Sequence, residues 1–229
     1  MDARVPRKEI NMKKYMIWDW NGTIVDDVGI ALDAVNDMLR EKDRPEITLE
    51  EYRRAMDTPI LRFYEEFFDM KETSFEWIAD RFQSYYGEHK EQLTLHEGVE
   101  DLLKRCQAQG CHQIILSSSA TDIITYYAEL FGVSGYFEAV LGADDLLAAG
   151  KIQRAVDYFE QNKIPRAEAV MIGDCVHDFD VSHTLGIDCV LMSGGHQDLA
   201  SLEACGCPVL TSLKDHSSPG YGVLLGNGS

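Results

Sequence analysis

Apolar residues along this chain cluster in two ways. Short, nearly unbroken apolar runs occur at Tyr15–Trp18 and at residues 113–116, 169–172 and 189–192. Runs of that length, bounded by polar residues, predict buried strands. Residues 27–92 instead carry helical spacing throughout. Ala31, Val35, Met38 and Leu39 form one stripe, Leu61, Tyr64 and Phe68 a second, and Phe75, Ile78, Phe82 and Tyr85 a third. Thr48 with Glu51, and Thr73 with Glu76, have the spacing of capping boxes. The segment predicts a small helical bundle whose aromatic stripes form its core.

From about residue 95 helix and strand signals alternate. Helical spacing covers 99–106, and an apolar strand ends at Ser117. A helix over 121–130 and a short strand near 137–141 follow. A helix begins at Lys151, a strand ends at Gly173, a helix follows His177, and a strand covers 189–192. Such alternation predicts an α/β fold: a Rossmann-like parallel sheet with helices on both faces, here with an α-helical insertion. Ligands bind such sheets beyond the carboxyl ends of the strands. Asp19, Ser117 and Asp174 all stand at predicted carboxyl ends.

Candidate chemistry concentrates at those ends. Asp19 closes the first run, and Asn21-Gly22, residues that tolerate positive φ, turn the chain immediately after it. A rigid strand thus delivers a carboxylate where a nucleophile or metal ligand would sit. Ser117, Ser118 and Ser119 close the second run. Lys151 follows Gly150 ahead of an amphipathic helix, and Gly173-Asp174 is followed by Asp178 four residues on, one helical turn later.

These four segments, in this order, resemble the haloacid dehalogenase superfamily of hydrolases, over about residues 15–208. Asp19-Trp20-Asn21-Gly22-Thr23, the Gly-Asp-x-x-His-Asp of 173–178 and Gly195-His196-Gln197 look like its bacterial phosphoglycolate-phosphatase-like branch. The resemblance implies a Rossmann-like core over 14–26 and 93–215, and a helical cap over 27–92 that closes on the substrate. It also implies a Mg²⁺-dependent phosphatase acting on a small phosphorylated metabolite. Asp19 would be the nucleophile, forming an aspartyl-phosphate. Asp19, the backbone carbonyl of Asn21 and Asp174 would hold Mg²⁺; Asp178 would bind a metal water or brace Asp174 and Lys151. Ser117 would donate to a phosphate oxygen, with Ser118 second in register, and backbone amides near Ser118 and Gly22 would complete the anion site. Lys151 would neutralise the phosphate and Asp19.

The chain departs from the superfamily pattern at two positions. Ile152 follows Lys151 where many relatives have proline, and Asn21 replaces the usual aspartate that protonates the leaving oxygen and activates water. General acid–base help is worth roughly 10²–10⁴ in rate. Three readings stay open: a slowed phosphatase favouring good leaving groups, a proton supplied by another residue such as His177, or a catalytically weak phosphometabolite-binding or regulatory protein.

Composition narrows the partners. The formal net charge of −18 repels nucleic-acid backbones and anionic membranes, so neither is expected as a partner. The six cysteines contain no Cys-x-x-Cys pair, which argues against zinc and fits a reducing cytoplasm. Neither a signal peptide nor a membrane-length apolar run is visible. A monomer or homodimer is expected. The polar arm over 1–13, where Met12 offers a second start, and the Gly- and Ser-rich tail over 216–229 are expected to be loose. Arg53, Arg54 and Arg62 lie in the insertion, where they could meet a substrate carboxylate or second phosphate, but each is expected to be a solvated helix residue.

Overall fold

A short strand that is apolar on both faces can be buried only inside a sheet covered on both sides. β1 (Tyr15–Trp18) meets that demand at the centre of a six-stranded sheet in a computed structural model describing residues 12–143, 150–215 and 217–225. Its neighbours are β4 (His112–Ala120) and β6 (Ala169–Gly173). Beyond them lie β5 (Ala139–Ala143) on one side and β7 (Asp188–Met192) and β8 (Val209–Leu210) on the other. Every pairing is parallel. The chain runs outward from β1 through β4 and β5, then crosses back to β6. The reversal opens a crevice at the carboxyl ends of β1 and β6. Trp18 is in register with Ile172 and Ile115, so Asp19 and Gly173 leave the sheet side by side.

Alternate residues of the strands feed two cores. Met16, Trp18, Val170 and Ile172 pack with α5 (Val99–Ala108) and α6 (Thr121–Leu130). Ile17, Ile114, Leu116 and Met171 pack with α7 (Lys151–Asn162) and α8 (Val176–Leu185). The expected Rossmann-like architecture is therefore present.

The insertion is helical, as expected: α1 (Val28–Glu41), α2 (Leu49–Ala55), α3 (Leu61–Phe67) and α4 (Phe75–Glu88) surround their own core of Val35, Met38, Tyr52, Phe63 and Ile78. Its entry and exit are tied together by an antiparallel pair, β2 (Val25–Asp26) with β3 (Thr94–Leu95). Thr48 and Glu51 form a full capping box. Thr73 and Glu76 do not. The helix starts one residue later, Ser74 accepts from the Trp77 amide, and Thr73 is buried.

Three further expectations need correction. β4 continues past Ser117 to Ala120, with a register shift between Leu116 and Ala120. The arm was expected to be loose up to residue 13, but Lys13 donates its backbone N–H to Leu224 and pairs with Asp188 at 2.7 Å; residues 1–11 lie outside the described set. The tail forms α10 (Pro219–Leu224), with the Ser218 hydroxyl accepting from the Tyr221 amide. Gly and Ser suggested looseness, but Tyr221 and Leu224 supply enough apolar surface to dock the segment on the sheet core. α9 (Leu199–Ala204) and β8 were not anticipated. Among the described residues no helix is long and apolar enough to cross a membrane.

Leu224 is fully buried in the core that lines β1. Leu224→Ala should cost about 2–5 kcal/mol of unfolding free energy in urea titrations. An unchanged midpoint would show that the tail is dispensable.

Candidate active site

The N-terminal residue of α7 is a lysine, which the helix dipole disfavours. Two carboxylates hold it there. Lys151 Nζ donates to Asp19 Oδ1 at 2.5 Å and to Asp178 Oδ1 at 2.7 Å. Asp19 sits just beyond β1, its amide bonded to the Ile172 carbonyl of β6. Asp178, in the first turn of α8, turns its other oxygen to the amides of Asp174 and Cys175, each at 3.1 Å. Asp174 follows β6 and accepts from Thr23 Oγ1 at 2.9 Å and from the His196 amide at 2.6 Å. All four charged groups are nearly excluded from solvent, with exposures of 7% for Asp19, 3% for Lys151, 0% for Asp174 and 1% for Asp178.

Packing around Asp174 is tight enough to demand glycine. A Cβ on Gly22 would lie 2.3 Å from Asp174 Oδ2, and Gly22 has φ +70°. A Cβ on Gly195 would lie 2.2 Å from the same oxygen. These two glycines let the Asp19 turn and the loop after β7 approach the carboxylate.

Burial raises the Asp19 carboxyl pKa, and nearby Asp178 and Asp174 add to the shift despite Lys151. Asp174 is raised by burial and by Asp178, with His196 opposing. Burial alone would lower Lys151, but Asp178 and Asp19 outweigh it and raise the ammonium pKa. Three carboxylates against one ammonium leave a negative, oxygen-rich cluster that suits a hard divalent cation. Asp174, Cys175 and Asp178 offer ligand atoms within 4.8 Å of one another. Cys175 is a poor member of that set, because burial pushes its thiol up and keeps it protonated. Asp178 gives one oxygen to the Lys151 ammonium and the other to two amides, whereas Asp174 accepts only from neutral donors, so Asp19, Asp174 and the Asn21 backbone carbonyl fit a cation better.

The other expected residues divide. Ser117 is buried, and its Oγ accepts from the Ser119 amide at 3.1 Å. The Ser117 carbonyl accepts from Arg154 of α7 at 2.9 Å. Ser118 is exposed. His177 is half-buried in α8, and its ring forms no hydrogen bond among the described residues. Burial and the nearby Lys151 lower its pKa. The Asn21 amide is fixed at both ends: Oδ1 accepts from Ser119 Oγ at 2.6 Å and Nδ2 donates to Asp27 Oδ2 at 2.7 Å.

Sequence reasoning missed Asp27, Tyr52, Tyr86 and His196. Asp27 is buried and accepts from the Gly22 amide at 2.8 Å and Tyr86 Oη at 3.1 Å, and pairs with His196 Nε2 at 3.1 Å. Tyr52 of α2 meets His196 Nδ1 at 2.9 Å. Arg53, expected to be solvated, instead donates to the carbonyls of Gly195 at 2.9 Å and Gly194 at 2.6 Å. Gln197 Nε2 reaches the Met56 carbonyl at 3.0 Å. The helical insertion is thus latched over the carboxylates. The only sequence signal was Gly195-His196-Gln197, read above as a family mark and not as a contact.

A family model for haloacid dehalogenase-like hydrolases matches residues 16–192. The chain belongs to that family. Phosphoglycolate phosphatase of Pseudomonas syringae pv. tomato is 25% identical over 194 residues, spanning 81% of this chain and 71% of its own length. The Caulobacter vibrioides phosphoglycolate phosphatase is 25% identical over 190 residues, 79% of each chain. The expected branch is therefore the one its sequence relatives occupy. A crystal structure of a predicted phosphatase from Clostridium acetobutylicum has the same fold, with TM-score 0.75 at 21% identity, covering 93% of this chain and 99% of that one.

The electrostatics of this hydrolase predict a pH dependence. Burial would lower the His196 pKa, but Asp27 and Asp174 raise it from 6.5 to about 9. A raised histidine contributes stability that is complete below its unfolded pKa and lost as pH rises through the folded one. Asp19 and Asp174, raised in the fold, also lose stability with rising pH. The melting temperature of the metal-free protein should therefore fall between about pH 6.5 and pH 9. His196→Gln should flatten that slope, and a level wild-type profile would contradict it.

Proposed function

We propose that this hydrolase is a Mg²⁺-dependent phosphatase that cleaves a small phosphorylated metabolite in the cytoplasm. The observation that supports this most is the buried junction of Asp19, Lys151, Asp178 and Asp174 at the sheet crevice. The phosphoglycolate phosphatases among its relatives, those of Pseudomonas syringae and Caulobacter vibrioides included, agree with it.

Asp19 is the nucleophile in this reading. Its carboxylate oxygen attacks phosphorus, the bond to the leaving oxygen breaks, and an aspartyl-phosphate forms that water then hydrolyses. Lys151 holds the attacking carboxylate in place and offsets charge on the phosphoryl oxygens. Asp178 braces Lys151 and the Asp174 amide. Ser117 Oγ, with a backbone amide near Ser118, receives the phosphate oxygens; the Gly22 amide, expected to join them, is instead held by Asp27 Oδ1 at 2.8 Å. Mg²⁺ held by Asp19, Asp174 and the Asn21 carbonyl would supply neutralising charge at the phosphoryl group. The latched cap excludes water, which strengthens each of these interactions. Asn21 offers no exchangeable carboxyl proton, so poor leaving groups are cleaved slowly.

Phosphate release from an aryl phosphate tests the assignment. Wild type should turn over only with Mg²⁺, and Asp19→Asn should lower kcat by on the order of 10⁴ or more. Alkyl esters should lag by a further factor of roughly 10²–10⁴, the share of the missing acid. Mg²⁺ binding without turnover would favour the phosphometabolite-binding reading instead.

A further inference from the structure

The amide at position 21 looks like a lesion only when viewed alone. Its surroundings are built for an amide and not for a carboxylate. Asn21 Oδ1 meets a donor, Ser119 Oγ, at 2.6 Å, and Nδ2 meets an acceptor, Asp27 Oδ2, at 2.7 Å. The Asp27 carboxylate fixes which way round the amide sits, because it can only accept. Tyr86 Oη lies on both, 3.3 Å from Asn21 Nδ2 and 3.1 Å from Asp27 Oδ2. Asp27 Oδ1 takes the Gly22 amide at 2.8 Å and faces His196 Nε2 at 3.1 Å. One buried carboxylate therefore gathers the turn after Asp19, a cap tyrosine and the loop that touches Asp174.

We propose that acid and amide have exchanged places in this site: the carboxylate usual at position 21 is carried at position 27, and Asp27 is the positioning residue of the nucleophile turn. The proposal rests on the phosphatase reading. It acts through Asn21 and Gly22, which adjoin Asp19, and assigns Asp27 no contact with substrate. Restoring aspartate at 21 alone would set two carboxylates at hydrogen-bond distance with only the single Tyr86 hydroxyl proton to share, and like charges that close repel strongly when buried. Removing the charge at 27 alone leaves the amide of Asn21 facing another amide and weakens the grip on Gly22 and His196. Making both changes restores one acid, one amide and a donor–acceptor match.

The test is a double-mutant cycle in the full chain with Asn21→Asp, Asp27→Asn and the pair together, at one pH. Thermal unfolding without added metal is read first, then kcat and KM on an aryl phosphate with Mg²⁺. Each single variant should melt lower by roughly 5 °C, and the double variant should recover at least about half of that loss, because directly contacting residues couple strongly. In parallel, kcat should fall about tenfold or more in each single variant, with KM within about threefold, and recover in the double. A single variant that does not fold while the double does gives the same support. A double variant no more stable than the worse single would overturn the exchange, as would Asn21→Asp alone raising both stability and kcat. Should no variant, wild type included, release phosphate, the phosphatase reading fails while the unfolding cycle still decides the pairing.

Discussion

The Lys151 ammonium is the group on which the site depends. It lies between Asp19 and Asp178, buried with both. Removing one partner from a buried ion pair strands the other charge at a cost of about 3–5 kcal/mol. Asp19 follows β1, Asp178 lies in the first turn of α8 and Lys151 opens α7, so this junction also fixes how two helices meet the sheet edge. Burial, and then the neighbouring carboxylates, raise the pKa values of Asp19 and Asp174, and three carboxylates around one ammonium leave the arrangement short of positive charge. That deficit makes the cluster receptive to a divalent cation and to the positive partners that phosphoryl transfer requires.

A second layer couples the cap to this cluster. The loop after β7 gives Asp174 the His196 amide, and gives α2 the Gly194 and Gly195 carbonyls. The imidazole of the same residue bridges Tyr52 and Asp27. One short loop thus touches the Asp174 carboxylate, the turn after Asp19 and the cap together. The β2–β3 pair closes the base of the insertion, so the cap can be held at two places, its root and this latch. Opening the latch would expose His196 and Asp27 to water and loosen Asp174 at the same time.

Much of the fold was legible along the chain. β1, β6 and β7 are short and apolar on both faces, and only a doubly covered parallel sheet accommodates them. The caps of α2 and the start of α6 are local and were read correctly. Errors arose where distant burial overrode local composition. Thr73 had capping spacing but was drawn inward, and α10 is Gly-rich yet docks through Tyr221 and Leu224.

The same division holds at the site. Asp19, Lys151, Asp174 and Asp178 could be singled out from sequence because each stands at or beside an element terminus, and Ser117 because it ends the apolar run of β4 at the shift in register. Sequence also showed that position 21 carries an amide. Its meaning came only with tertiary structure, because Ser119 lies 98 residues away and Tyr86 lies 65 residues away. No local pattern marks a hydrogen bond across such distances. The sheet register, the approach permitted by Gly22 and Gly195, and the cap latch decided that Asp27, Tyr52, Tyr86 and His196 would meet around that amide.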